Sequence, residues 1–290
     1  MRIAGTTVAV VGGDAREREV ISALVGAGAR VQVAARPAGD VGAEWSATVG
    51  EALRGSTALV LPMPGVDAQG RIYAPLVSEP FHLRASDLAG LVAGAPIIVG
   101  VARSSLSDPA AELGHPVYEL SENDELAIAN SVPTAEGAVR MAMERRPVTI
   151  HGSQAVVLGL GRCGFTLART LAALGARVTV VARKPADRAR ASAMAWAATD
   201  YPSAGAALQE ADFVFNTVPA LVLTGDRLAQ TRPDCLIVDL ASAPGGTDFA
   251  AASALGREAL LAPGLPGKCA PVTAGRAAAR VILDLLTSCR

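Results

Sequence analysis

The sequence predicts an α/β protein made of two doubly wound parallel-sheet domains with a cleft between them. Three observations carry that expectation. Short apolar runs alternate with amphipathic stretches along the whole chain. Residues 8–37, VAVVGGDAREREVISALVGAGARVQVAARP, recur in altered form as residues 155–184, AVVLGLGRCGFTLARTLAALGARVTVVARK. The 290 residues are 51% hydrophobic but only 3% aromatic, so the apolar weight lies in Ala, Val and Leu, as parallel strands under close-packed helices require.

In chain order, strands are expected at Val8–Val11, Val31–Ala34, Ala58–Leu61, Ile97–Val101 and Val117–Leu120. A second series is expected at Ala155–Leu158, Val178–Val181, Phe213–Asn216, Leu236–Leu240 and about Ala259–Ala262. The boundaries that follow are a flavodoxin-like or Rossmann-like substrate domain over 1–130 and a nucleotide-binding domain over 131–272. Between them, Thr134 after Pro133 reads as the N-cap of a linking helix over about 134–146, stopped by Pro147. The loop 262–271 is too rich in Pro and Gly for helix or strand, and a tail helix over 273–290 is expected to return to the first domain.

The two copies differ where chemistry is decided. With Gly12 over Gly159, Gly28-Ala29-Arg30-Val31 falls over Gly175-Ala176-Arg177-Val178 and Arg36 over Arg183, yet Asp14 and Glu17 oppose Gly161 and Gly164. In a dinucleotide-binding turn the first glycine makes the bend, the second admits the pyrophosphate and the third lets the helix pack on the sheet. The second copy has all three and the right strand–turn–helix setting, so its Rossmann turn, Gly159, Leu160, Gly161, Arg162, Cys163 and Gly164, is a cofactor site rather than a structural turn. In the first copy Asp14 would aim a carboxylate at the phosphates and Glu17 would crowd the helix start, so that copy keeps the fold and loses the cofactor. Asp14 and Arg16 are then either a capping acid with a solvated arginine or a substrate-facing pair.

An NAD site usually ends its second strand with an acid for the ribose hydroxyls. Here Arg183 and Lys184 stand in that place, which favours NADP, the alternative being a solvated pair at a helix start. Asn216, Thr217, Val218 and Pro219 end one strand beside the expected nicotinamide ribose. Asp239 and Ser242 end the next, and Pro263 and Gly264 belong to a stiff third loop forming a site wall. His115 and His151 precede strands and read as structural, and His82 lies in a loop of uncertain role. Cys163 reads as a small filler, and no His–carboxylate or Ser–His constellation is visible.

The net charge is −1, with 26 basic and 27 acidic residues and no basic run, which argues against nucleic acid. The apolar run Gly90–Ala102 is too short for a bilayer and is broken by Pro96, and no secretory leader precedes the first strand. Cys163, Cys235, Cys269 and Cys289 show no metal-ligand or disulfide spacing, so no metal is expected and a reduced, cytoplasmic setting is.

The segments Gly12-Gly13-Asp14-Ala15-Arg16, NSVPTAEG (130–137), IHGSQAVVLGLGRCG (150–164), LAALGARV (171–178), DLASAPGGTDF (239–249) and APGLPGKCAPVTAG (262–275) resemble the dipicolinate synthase A subunit over nearly the whole chain. The resemblance implies NADP-dependent oxidation, with dehydration, of 4-hydroxy-tetrahydrodipicolinate to the dipicolinate of endospores. It also implies a flavoprotein-like B subunit for a partner and residence in the sporulating mother cell; a homo-oligomer is expected besides. Two substrate carboxylates would need donors, for which Arg16, Thr134 and Ser242 are candidates, with Asp239 or Asp14 as proton acceptor. Asp239, Ser242 and Thr134 thus form the expected catalytic set, and Asp14, Arg16, Ser131, Thr134, Ser242, Pro263 and Gly264 the substrate set. Ser131 and Glu136 match the family motif either as site residues or as the frame of the linking helix. The loop GVARSS (100–105) and Lys268 depart from the family pattern, so neither Arg103 nor Lys268 is assigned to catalysis. Two other readings stay open: a dehydrogenase of another small carboxylate, and a non-catalytic nucleotide-binding partner of the B subunit.

Overall fold

The structure, a computed structural model, describes residues 3–37, 39, 42–242 and 244–288. It divides into two compact units, one holding the described residues up to Ala129 together with those from Ala270 on, the other Asn130–Cys269.

The first unit contains β1 (Thr7–Val11), α1 (Glu17–Gly26), β2 (Arg30–Ala34), β3 (Ala43–Trp45), α2 (Val49–Leu53), β4 (Ala58–Val60), α3 (Ala85–Leu88), β5 (Ile97–Val99), α4 (Ser104–Glu112) and β6 (Val117–Glu119). Its six parallel strands run in the order β3-β2-β1-β4-β5-β6. Strand order therefore reverses between β1 and β4, the Rossmann arrangement and not the flavodoxin one. After α5 (Asp124–Arg145), the second unit repeats the plan with β7 (Gln154–Leu158), α6 (Arg162–Ala173), β8 (Arg177–Val181), α7 (Pro185–Ala193), β9 (Ala197–Thr199), α8 (Gly205–Glu210), β10 (Phe213–Asn216), α9 (Gly225–Ala229), β11 (Leu236–Asp239), α10 (Phe249–Ala254), β12 (Glu258–Leu261) and α11 (Leu265–Cys269). Its order, β12-β11-β10-β7-β8-β9, is the same when read from the other edge, with the switch between β7 and β10.

The central strands are buried on both faces, as near-continuous Val, Ile and Leu runs demand. The last helix, α12 (Pro271–Ser288), packs Ala278, Val281 and Ile282 against Val20, Ile21 and Leu24 in the first unit's core.

Three expectations need correction. The helix expected over 134–146 begins ten residues earlier, at Asp124, with Pro133 inside it. Asn123 caps it, its Oδ1 accepting from the Leu126 N–H at 2.8 Å, and Asp124 and Glu125 favour its first turn. The loop 262–271 holds the short helix α11 and the start of α12, because Pro266 and Pro271 sit in first turns, where the missing N–H would have no partner. Strands β3 and β9 were not expected: each is three residues long and lies at a sheet edge, too short for a period to show.

Candidate dinucleotide site

At the end of β7 the chain turns through Gly159, whose φ of +87° lies in the left-handed region and whose N–H donates to the Val181 carbonyl at 2.9 Å. A Cβ on Gly164 would stand 2.2 Å from the Gly159 carbonyl oxygen, so a side chain there would force the helix off the turn. A Cβ on Gly161 would meet nothing within 4 Å. That space lies over the N-terminus of α6, whose first N–H groups have no intrahelical acceptors and whose dipole favours an anion. Arg162, Cys163 and Gly164 form the first turn; burial pushes the Cys163 thiol up to about 11, in keeping with an inert filler.

Over this turn opens a cavity of about 460 Å³. Gly159, Leu160 and Gly161 form one side, Ala182, Arg183 and Lys184 the end of β8, and Thr217, Val218 and Pro219 the loop after β10. The corner at Arg183 is fixed from behind, because Arg188 donates to the carbonyls of Ala182 at 2.8 Å and Arg183 at 2.9 Å. The acid nearest in sequence, Asp187, also lines the cavity but carries the Arg190 guanidinium at 3.2 Å. The residues present therefore fit a dinucleotide: an open glycine cradle for a diphosphate, and two cations where its adenosine ribose would end.

Beneath the wall lies a polar hub. Asp239, fully buried, accepts through Oδ1 from Asn216 Nδ2 and the Ala241 N–H, both at 3.0 Å. Its Oδ2 accepts from the Gly246 N–H at 2.8 Å and the Thr247 hydroxyl at 2.7 Å. Asn216 in turn accepts the Val218 N–H and donates to the Val218 carbonyl, both at 3.0 Å. All four contacts on Asp239 are thus taken within the chain, and the carboxylate ties the loops 216–219 and 240–247 together. Ser242 is exposed, its carbonyl accepting the Gly245 N–H at 2.8 Å.

Thr134 is not the N-cap that the sequence suggests. It lies within α5, and its hydroxyl donates to the Asn130 carbonyl at 2.8 Å, so it offers no free helix-start N–H. Ser131 is buried, 2.6 Å from the Thr166 hydroxyl on α6. Pro263 and Gly264 form the turn leading into α11, with Gly264 at φ +69°. Among the described residues no hydrogen bond joins Thr134 to Asp239 or Ser242.

The first copy fills its own anion position. The Glu17 carboxylate folds over Gly13 and accepts the Asp14 N–H at 2.7 Å, with Arg36 Nη1 4.0 Å away. Burial first, then the neighbouring Asp14 charge, push the Glu17 carboxyl up to about 7, against the pull of Arg16 and Arg36. The Asp14 carboxylate holds Arg16, whose Nε and Nη2 each donate to it at 2.9 Å. Burial raises the Asp14 carboxyl, yet the Arg16 hydrogen bonds outweigh it and the net shift is downward. Arg36, buried where its counterpart Arg183 is exposed, donates to the carbonyls of Gly12 at 3.0 Å and Asp14 at 2.9 Å. His115 is buried with Nδ1 3.2 Å from the Ala95 carbonyl oxygen, and His151 covers Gly175.

Comparison with known proteins agrees with this geometry. The family model for the N-terminal domain of the dipicolinate synthase A subunit matches residues 7–121, and that for the NAD-binding domain of D-isomer specific 2-hydroxyacid dehydrogenases matches residues 126–258. Over 287 residues, 98% of this chain and 97% of the relative, the sequence is 38% identical to the dipicolinate synthase A subunit of Bacillus subtilis (strain 168). The chain belongs to the dipicolinate synthase A-subunit family. The family's crystal structure from Bacillus halodurans matches it with a TM-score of 0.95 at 36% identity, covering 99% of both chains. The Bacillus subtilis structure gives 0.91 at 37% identity, covering 99% of this chain and 97% of the other. D-lactate dehydrogenase from Escherichia coli, at 15% identity and a TM-score of 0.63, shares the fold over 98% of this chain and 97% of its own. This member of the dipicolinate synthase family therefore carries a dehydrogenase-type nucleotide-binding domain and is an oxidoreductase. No helix among its described residues is long and apolar enough to cross a membrane.

Sequence reasoning missed the Glu17 side chain as acceptor of the Asp14 N–H, Tyr201 in the cavity wall and the four donors on Asp239. Glu17 could have been found by asking what fills the space that a glycine vacates. Tyr201 follows an edge strand with no periodic signal.

Proposed function

We propose that this chain oxidises 4-hydroxy-tetrahydrodipicolinate to dipicolinate with NADP as hydride acceptor. Loss of water and of one hydride and one proton leaves the aromatic pyridine dicarboxylate, and aromatisation drives the reaction forward. The single observation that carries the cofactor choice is the end of β8, where Arg183 and Lys184 border the cavity and the acid that lines it beside them, Asp187, is paired with Arg190.

The chain's own contribution is to bind and orient. The N-terminus of α6 would hold the diphosphate, Arg183 and Lys184 the 2′-phosphate, and the loop 216–219, shaped by Asn216 and Asp239, the nicotinamide ribose. The nicotinamide supplies the hydride acceptor when NADP is bound. For the substrate we assign Ser242 and the turn Pro263-Gly264, with Asp14 and Arg16 acting as an ion pair rather than as separate groups; Ser131, paired with Thr166, and Thr134, whose hydroxyl is given to the Asn130 carbonyl, frame α5. On the strength of the family we assign the B subunit for a partner and the cytoplasm of the sporulating mother cell; a homo-oligomeric assembly is expected besides.

The test is absorbance of the purified protein given freshly made substrate and either NADP or NAD, with and without the B subunit. Reduced cofactor and dipicolinate should appear together with NADP and far more slowly with NAD. The Arg183→Ala/Lys184→Ala double variant should abolish that preference. A wild-type protein that favours NAD would overturn the cofactor assignment, and one that forms neither product until the B subunit is added would mean that the chemistry is shared with that subunit or lies on it.

A further inference from the structure

Tyr201 stands two residues beyond β9, the strand beside β8. The Ala182 N–H donates to the Thr199 carbonyl at 3.0 Å, so Tyr201 and Arg183 emerge side by side at the same end of the sheet. Its half-buried ring lines the dinucleotide cavity together with Arg183, Lys184, Val218 and Pro219. The same ring borders an adjoining hollow that holds Thr224, Asp226 and Arg227. There the Arg227 guanidinium carbon lies 5.2 Å from the ring centroid, while its Nη1 donates to the Val222 carbonyl at 2.7 Å. Tyr201 therefore stands between the two, shared by the cavity and by the hollow that Arg227 lines.

We propose that Tyr201 is the adenine platform of this site, held upright from behind by Arg227. The assignment rests on the dinucleotide reading above and extends it to the base. A ribose whose phosphate meets Arg183 and Lys184 places its attached adenine beside them, and the aromatic residue that lines the cavity with that pair is Tyr201. Composition argues against stacking platforms along a nucleic acid, but one ring suffices for one base. A phenol gives the flat apolar face that a purine needs, and a base stacked on an aromatic ring typically loses about tenfold in affinity or more when the ring is removed.

The bland alternative is that Tyr201 only seals the core beneath it, where it packs beside Leu208 and Leu228. Four probes separate the two: NADP, NAD and 2′,5′-ADP, which carry adenine, and nicotinamide mononucleotide, which does not. Binding is measured calorimetrically on the full chain. Tyr201→Leu, which keeps bulk but not the ring, should weaken the three adenine ligands alike by about tenfold and leave the mononucleotide unchanged. Tyr201→Phe should restore wild-type binding. Arg227→Gln should fall between wild type and Tyr201→Leu. Unchanged affinities in Tyr201→Leu, or an equal loss for the mononucleotide, would overturn the proposal. The Arg183→Ala/Lys184→Ala variant reports separately, since it should weaken NADP and 2′,5′-ADP but not NAD. Failure of that pattern counts against the NADP reading while the Tyr201 result still decides the platform. A wild-type chain that binds none of the adenine ligands would overturn both.

Discussion

Asn216 Nδ2 donates to Asp239 Oδ1 at 3.0 Å, and neither residue is exposed to solvent. Four donors converge on that carboxylate, and two loops owe their shape to it. Asp239→Asn would turn one acceptor into an amide group facing a donor, which costs about 2–4 kcal/mol for a buried, charge-assisted network. Asn216→Asp would set two carboxylates at hydrogen-bond distance and should be at least as harmful. Urea unfolding of the three proteins checks this. A loss below about 0.5 kcal/mol in Asp239→Asn, within the usual range for an inconsequential surface change, would mean that the hub does not hold the wall.

The glycines of the second-unit turn should separate folding from binding. Gly161 has an ordinary φ of −78° and open space where a Cβ would go, whereas at Gly164 the Cβ would meet the Gly159 carbonyl oxygen at 2.2 Å. Gly161→Ala should therefore leave thermal stability within about 0.5 kcal/mol of wild type. It should still weaken NADP by an order of magnitude or more, because its methyl enters the diphosphate's space. Gly164→Ala should lower stability by about 1–3 kcal/mol through overpacking, with binding lost as a consequence. Melting curves and a cofactor titration on both variants decide it; equal behaviour would place the pyrophosphate elsewhere.

How much of this was legible in the sequence depends on which physical signal each feature leaves. The central strands show as uninterrupted apolar runs and the cofactor turn as Gly159, Gly161 and Gly164 in a strand-to-helix setting, so both could be read. The helix α5 could not be bounded, because Pro133 is a strong local signal for a start and the true cap, Asn123 followed by Asp124 and Glu125, is a weaker one. At Asp239 the sequence shows the carboxylate and not the four donors around it, which come from loops brought together only by the fold. Spacing marks Glu17 as out of place in a dinucleotide turn, but whether it crowds the turn or completes it is a matter of where a flexible side chain folds, which spacing does not encode.

Glu17 gives the first unit a pH signature of definite sign. Its carboxyl is raised to about 7 in the folded chain, chiefly by burial, from an ordinary value of 4.5. Between those values the folded state holds the proton and the unfolded state has lost it, so stability from this group is full below about 4.5 and falls as pH rises to about 7. A shift of that size corresponds to roughly 3 kcal/mol. Glu17→Gln keeps an acceptor for the Asp14 N–H and cannot ionise, so it should match wild type near pH 4.5 and be the more stable of the two at pH 8. Urea titrations at both pH values test this. A stability difference that does not change with pH would show that the carboxyl is not raised.

Gly275 on α12 sets two ordinary expectations against each other. Alanine is favoured over glycine in a helix interior by about 1 kcal/mol, so on propensity alone Gly275→Ala should stabilise the chain. Yet a Cβ at this position would lie 2.5 Å from the Arg16 carbonyl oxygen and 2.9 Å from Glu19 Cβ, where α12 crosses the start of α1. The nearer atom is backbone and cannot swing aside. The helices would have to separate, loosening Val281 and Ile282 from Val20 and Ile21 and shifting the residue that holds Asp14. Overpacking of that kind costs about 1–3 kcal/mol, enough to cancel or exceed the propensity gain. Gly275→Ala should therefore melt at or below the wild-type temperature, and Gly275→Val well below it. A rise in melting temperature for the alanine variant would mean that propensity wins and that the contact between α1 and α12 yields more easily than its spacing indicates.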